Sequence, residues 1–201
     1  MRFLFAMVIL ICFSLEASSS VNLIEQRIAL QNIKHSVNIF SSDEEHFKLT
    51  PKQIYLMKLA EKEGVKIGFP KTIQAILWQE TQAGLYGPVS YSDAPIGQKA
   101  YCSMQIKLRT ARDVLVQYKM PVPKTEEELL VKLLTNDTFC IKLGTLYFKT
   151  LYDKTKNWNK AVLAYNQGLG GMRRGKDPGG YVKKIKGVLF KEVSTFNRKY
   201  R

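Results

Sequence analysis

Apolar residues recur along most of this chain with the period of an α-helix. Ile73, Ile76 and Leu77 stand at i, i+3 and i+4 in the run 71–81, which puts them on one face of a short helix. Glu80 is three residues after Leu77 and four after Ile76, so it shares that face, and Gly84 and Gly87 follow as stop signals. Upstream, Thr50-Pro51 is a helix start, an N-cap residue with proline at the first helical position. That helix runs through Ile54, Leu56, Met57, Leu59 and Ala60 and stops before Gly64. Downstream, Tyr101 to Tyr118 carries Met104, Leu108, Ala111 and Leu115 on one face, until Pro121 and Pro123 break it. Thr125-Glu126-Glu127-Glu128 is a capping box that opens a helix to about Leu134. Asn136-Asp137 opens another, through Ile141, Gly144, Tyr147, Phe148 and Leu151. Trp158 to Asn166 is a short helix ended by Gly168, Gly170 and Gly171, and Gly179-Gly180 precedes a basic helix from Tyr181 to about Phe196. Residues 84–100 bear Gly, Pro and Ser without a long period and form a loop, with room for a small β-hairpin. Nothing else has the strand period, so the predicted fold class is all-α.

The ends of the chain change this picture. Arg2, the nearly unbroken apolar run Phe3 to Leu15 and the small residues Ala17-Ser18-Ser19 read as a signal peptide over residues 1–19. The run is too short for a comfortable membrane span, although an uncleaved anchor is the competing reading. Residues 20–48 carry a helical pattern (Val21, Ile24, Ile28, Ile33, Val37) closed by the acidic stretch Ser41 to Glu45, and are expected to form an N-terminal helical extension. Residues 49–201 form the main domain.

Charge narrows the partners. Thirty-one Lys and Arg face 17 Asp and Glu, a formal charge of +14, which suits a polyanion. The basic residues are spread along the chain and build no nucleic-acid motif, so no nucleic-acid partner is expected. His35 and His46 stand alone, with no ligand cluster, so no metal and no cofactor are expected. Loss of residues 1–19 removes Cys12 and leaves Cys102 and Cys140. Two thiols in an exported chain suggest one disulfide, two separate buried thiols being the alternative.

The candidate chemistry centres on Glu80. A carboxylate at the end of an apolar stripe is costly as an anion, and a carboxyl that stays protonated near neutral pH can serve as a general acid. On spacing alone, a glutamate that turns to solvent in the last helical turn fits equally well. Four segments then converge. Glu80-Thr81 after its apolar helix resembles the Glu-Ser signature of the soluble lytic transglycosylases and the related goose-type lysozymes. Residues 100–106, Ala-Tyr-Cys-Ser-Met-Gln-Ile, resemble their Ala-x-Gly-Leu-Met-Gln-Ile element. Cys140-Ile141-x-x-Gly144-x-x-Tyr147-Phe148 is similar to their Asn-Ile-x-x-Gly-x-x-Tyr-Leu helix, and Ala164-Tyr165-Asn166-x-Gly168 to their Ala-Tyr-Asn-x-Gly segment. Tyr181-Val182 fits the start of the family's final helix. Each motif alone is weak, but their order and spacing across about residues 50–190 are specific.

The resemblance implies a lysozyme-like helical domain that cleaves the β-1,4 bond between N-acetylmuramic acid and N-acetylglucosamine in peptidoglycan. It implies Glu80 as catalytic acid, then base, with 1,6-anhydromuramyl products. Thr81, Ser103, Met104, Gln105, Tyr165 and Asn166 carry over as substrate-binding positions. Met104 taken by itself would be core packing, and Asn166 would equally hold the turn before Gly168. Tyr86, Tyr91 and Tyr101 flank the cleft segments, where rings stack on sugars or simply pack. Asp93 is the one candidate for a second carboxylate, and Asp113 reads as a solvent-facing helix residue. The departures are Thr81 for Ser, Cys102 for Gly, Ser103 for Leu, Cys140 for Asn, and a longer loop after Glu80. Two family positions have both become cysteine. If they face each other, a disulfide joins Cys102 and Cys140, with Cα atoms about 4.4–6.8 Å apart. The implied partner is the glycan strand of peptidoglycan, met in the periplasm or cell envelope by a monomeric, exported enzyme. A cell-envelope machine (secretion, conjugation, pilus or phage infection) is an expected further partner. The competing functions are a goose-type muramidase and a non-catalytic glycan-binding component of such a machine.

Overall fold

The computed structural model describes residues 48–200 apart from 90–94, 96–97, 176 and 178. The expectations for residues 1–47 and for Tyr91 and Asp93 lie outside the described residues. What is described is helical with one small hairpin, so the all-α expectation holds.

Helix α1, Pro51–Val65, begins as predicted. Thr50 Oγ1 accepts from the Gln53 backbone N–H at 3.2 Å and Gln53 Oε1 accepts from the Thr50 N–H at 3.0 Å, a complete capping box. The helix does not stop before Gly64 but runs through it. Gly64 is there for contact: a Cβ on it would meet Pro70 Cα at 2.6 Å, so only glycine lets the next helix start so close.

That next helix, α2 (Pro70–Thr81), carries Glu80. Ile73, Ile76 and Leu77 are fully buried, and so are Gln74 and Ala75, so the helix is enclosed more widely than one apolar face. Gln74 can be buried because its amide is matched. Its Nε2 donates to Asn197 Oδ1 at 3.2 Å, and Asn197 Nδ2 donates back to Gln74 Oε1 at 3.1 Å. This pair ties α2 to the C-terminal helices.

The predicted helix from Tyr101 to Tyr118 is shorter in the structure. Strands β1 (Ala100–Tyr101) and β2 (Ile106–Lys107) pair antiparallel, Tyr101 opposite Ile106, and helix α3 covers only Leu108–Gln117. The turn between the strands holds Cys102 and Gln105 in the left-handed region, φ 61° and 48°, which a helix forbids. The i, i+4 spacing of Met104 and Leu108 is real but joins a hairpin to a helix.

Helices α4 (Glu126–Thr135), α5 (Asp137–Thr155), α6 (Trp158–Arg173) and α7 (Tyr181–Val188) follow, then a π-helical turn, Leu189–Val193, and α8 (Ser194–Lys199). Helix α6 does not end near Asn166. It continues past Gly168, whose φ of 71° and ψ of 168° kink it instead of closing it. The long α5 is the hub, packing on α1, α3, α4 and α6, while α2 lies against α1 and α7.

The hairpin is pinned to α5 in two places. Cys102 and Cys140 form a disulfide with Cα atoms 6.2 Å apart, within the expected range. One turn along, Gly144 receives the Met104 side chain: a Cβ there would lie 2.6 Å from Met104 Cε and 2.9 Å from its Cβ. Alanine at position 144 should therefore push the hairpin off α5. In an exposed helix the change from Gly to Ala stabilises by roughly 0.5–1 kcal/mol. Here Gly144→Ala is expected to destabilise by about 1–3 kcal/mol in urea unfolding, as overpacked cores do. A neutral or stabilising result would show that Met104 does not need this space.

Candidate active site

Helix α2 ends in an unusual way, and that ending positions Glu80. The expected stop at Gly84 comes two residues earlier. Gln82, Ala83 and Gly84 all adopt left-handed φ, at 48°, 55° and 80°. Such a run is strained for residues with side chains, and it stands directly beside the candidate acid. Its neighbours hold it. Gln53 Nε2 donates to the Gln82 carbonyl at 3.0 Å, Ala83 is fully buried, and Gly84 lies so close under Leu56 that a Cβ would meet Cδ1 at 2.7 Å.

Thr81 locks the same turn. Its Oγ1 donates to the Ser103 carbonyl at 2.8 Å and accepts from the Gly84 N–H at 2.9 Å. The hydroxyl therefore stitches the end of α2 to the hairpin.

A cleft of about 320 Å³ opens beside Glu80. Gln105, Ile106 and Lys107 of the hairpin line one side, and Tyr147 of α5 with Tyr165, Asn166 and Gly168 of α6 line the other. The helix kink at Gly168 thus lies in the cleft wall. Glu80 is the one acidic residue in this lining among the described residues.

The sequence-predicted residues divide into two groups. Glu80, Gln105, Tyr165 and Asn166 come together around the cleft. Asn166 is exposed there instead of buried in a turn. Thr81, Ser103 and Met104 do not reach it: their side chains are buried behind the wall, Met104 completely. The expected saccharide contact is corrected for these three. Thr81 holds the α2 turn, Ser103 Oγ sits 3.4 Å from Cys140 Sγ, and Met104 fills the space over Gly144. Tyr101 is buried as well, so its ring packs and has no face for a sugar, while Tyr86 is exposed. Asp113 lies exposed on α3, outside the Glu80 cleft.

The hydrogen bond to Glu80 comes from an unforeseen residue. Tyr181 O–H donates to Glu80 Oε1 at 2.5 Å, across 101 residues of sequence. Tyr165, the other buried phenol of the site, donates to the Met104 carbonyl at 3.0 Å. Tyr181 is well placed because Asp177 caps its helix: the Asp177 carboxylate accepts from the Tyr181 N–H at 2.8 Å and the Val182 N–H at 3.1 Å. The Tyr-Val dipeptide after Gly179-Gly180 was the available signal, but a tyrosine opening an amphipathic helix reads as packing.

Electrostatics follow from this enclosure. Although an edge of Glu80 opens to the cleft, protein surrounds its carboxyl, and desolvation raises the pKa from 4.5 to about 7, against the lowering effect of the Tyr181 hydrogen bond. Burial also keeps the phenols of Tyr165 and Tyr181 protonated well above the usual range, and the negative charge of Glu80 adds to this. Tyr147, whose ring centroid is 5.2 Å from that of Tyr165, is raised by burial too. The site is therefore a half-protonated carboxyl in a wall of neutral phenols.

This burial has a cost that pH reveals. Below pH 4.5 Glu80 is protonated in both folded and unfolded chains. As pH rises from 4.5 to about 7 the unfolded chain ionises first, so the native protein loses stability, and the loss is complete above about 7. Glu80→Gln abolishes this. Its stability relative to the native protein should rise across that window by up to roughly 3 kcal/mol, read from urea unfolding at several pH values. A difference independent of pH would contradict the raised pKa.

The transglycosylase SLT domain model matches residues 56–186, more than half of the chain. No curated protein matches the chain at a significant level. The matched span reaches from α1 into α7 and takes in Glu80, the hairpin, the kinked α6 and Tyr181. The chain belongs to the transglycosylase SLT domain family, with the all-α, lysozyme-like fold that membership implies.

Proposed function

We propose that this protein is an exported peptidoglycan lytic transglycosylase in which Glu80 is first the acid and then the base. The observation that carries the reading is a buried carboxyl with a pKa of about 7 in an open cleft whose lining offers no second carboxylate among the described residues. Hydrolytic glycosidases pair two carboxylates, about 5–5.5 Å apart when retaining and about 6.5–9.5 Å when inverting. A single carboxyl suits an internal nucleophile, because the same group can give and then recover one proton.

In this reading the glycan strand lies across the cleft with its glycosidic oxygen at Glu80. Tyr181 occupies Oε1, which leaves Oε2 to carry the proton. As the bond between the anomeric carbon and that oxygen breaks, the proton passes to the leaving sugar, and Glu80 becomes a carboxylate stabilised by the Tyr181 hydroxyl. The muramyl C6 hydroxyl then attacks the anomeric carbon and gives its proton to Glu80. The product is a 1,6-anhydro end, and the enzyme returns to its starting state with no water consumed. Gln105 and Asn166 are polar groups in the lining that can hydrogen-bond the sugars, and Tyr165 and Tyr147 offer ring surface.

Residues 49–201 would form the catalytic domain, released into the periplasm or cell envelope after loss of residues 1–19. Residues 20–48 are the candidate contact to a cell-envelope machine. This contact fails as an idea if their deletion leaves stability and localisation unchanged.

The decisive experiment is mass spectrometry of products from purified sacculi, with Glu80→Gln and Tyr181→Phe beside the native protein. Anhydromuramyl products are expected from the native protein and none from Glu80→Gln. Reducing muramyl ends would make it a muramidase, and bound but uncleaved sacculi would make it a glycan-binding component. For Tyr181→Phe, loss of the hydrogen bond that lowers the Glu80 pKa is expected to move the alkaline limb of the activity profile from about pH 7 to higher pH. An unmoved limb would remove Tyr181 from the acid's environment.

A further inference from the structure

The Glu80 cleft does not end at Tyr147. A second hollow of about 210 Å³ shares Thr110 and Tyr147 with it, and a third of about 680 Å³ shares Lys154 and Leu169 with the second. The three hollows adjoin one another in a row, with residues of α5 and α6 in all three linings. Tyr147 and Lys154 lie seven residues apart on α5, two turns on the same face, or about 10 Å. Leu169, Met172 and Arg173, which line the far hollow, all follow the kink at Gly168.

The two ends differ in charge. Around the near end stands one acid, Glu80. Among the described residues the far hollow is lined by Lys154, Lys160 and Arg173 with no acidic residue, and Leu169 and Met172 are its apolar part. All three cations are exposed, and none has a carboxylate within ion-pair distance among the described residues. The nearby Asp153 is already held by Lys149 at 2.6 Å and Lys156 at 3.8 Å. Among the described residues the one carboxylate along the way is Asp113, in the lining of the middle hollow.

From this arrangement we infer that the far hollow is a second binding site, for the carboxylates of the peptide stems carried by the glycan strand. The inference rests on the proposed glycan substrate. A strand seated at Glu80 that runs on past Tyr147 brings the carboxylates of a stem on one of its muramyl residues to three cations with no carboxylate partner among the described residues, beside Leu169 and Met172 for the side-chain methyls. The site would thus select peptide-bearing strands over stripped ones, through charge that acts at range and weakens with salt.

The test compares binding to solubilised glycan strands, captured on beads by one end, before and after an amidase has removed the stems, using Glu80→Gln as an uncleaving binder. In that background the far-hollow variant Lys154→Gln/Lys160→Gln/Arg173→Gln is set beside Lys58→Gln/Lys62→Gln/Lys184→Gln, which removes equal charge from exposed positions outside the three hollows. Thermal unfolding checks that both are folded. The Glu80→Gln protein is expected to prefer stem-bearing strands by about tenfold at low salt. The far-hollow variant should bring this preference to near unity, and the charge-matched variant should keep it. A preference lost equally in both would point to general charge and overturn the site, as would no preference at all. Glycan binding without stem preference overturns only this inference. Absence of binding to either form of the strands overturns the proposed function as well.

Discussion

A single contact organises this molecule: the 2.5 Å hydrogen bond from Tyr181 to a glutamate that its surroundings keep near its protonation midpoint. Burial alone would drive Glu80 toward a permanently neutral carboxylic acid, which could give a proton but not easily hold the negative charge that follows. The phenol opposes that drift without supplying a competing charge. The balance needs the end of α2 and the start of α7 to meet at a fixed distance. The rest of the fold serves that meeting: the Gln74–Asn197 amide pair, the Asp177 cap and the close helix contact at Gly64.

The second constraint lies under the cleft. Ser103, Met104 and the Cys102–Cys140 disulfide join the hairpin to α5, and Thr81 joins it to the end of α2. None of them faces the cleft, yet together they set the height of Gln105 and the left-handed turn beside Glu80. Strain there is affordable because Gln53, Leu56 and Thr81 over-determine the turn from three directions. A hydroxyl at position 81 is thus needed for positioning even though it touches no substrate surface.

Much of this was legible in the sequence, for identifiable reasons. The helix period exposed α1 and α2, Thr50-Pro51 marked a true N-cap, and Glu80 stood out as the polar residue at the end of an apolar stripe. The cysteine pair was legible because both departures from the family pattern were the same residue. What was hidden depends on tertiary geometry. The i, i+4 spacing of Met104 and Leu108 mimicked a continuous helix because nothing local reports that Cys102 and Gln105 take positive φ. Glycines read as helix stops, yet Gly64 serves close packing and Gly168 a kink. Burial cannot be seen in a motif either, so Met104 looked like a cleft residue beside Gln105. Tyr181 was invisible as a partner of Glu80 because the two meet only when α7 packs on α2.

The central claim is that the fold itself, without substrate, holds Glu80 near its midpoint at neutral pH. It is tested most directly by following the Glu80 side-chain carboxyl carbon by NMR in the native protein across pH 3 to 9, assigned by its absence in Glu80→Gln. A midpoint near 7 is expected, with one coupled change in the Tyr181 ring signals. A midpoint near the ordinary 4.5, with Tyr181 indifferent to it, would contradict the account.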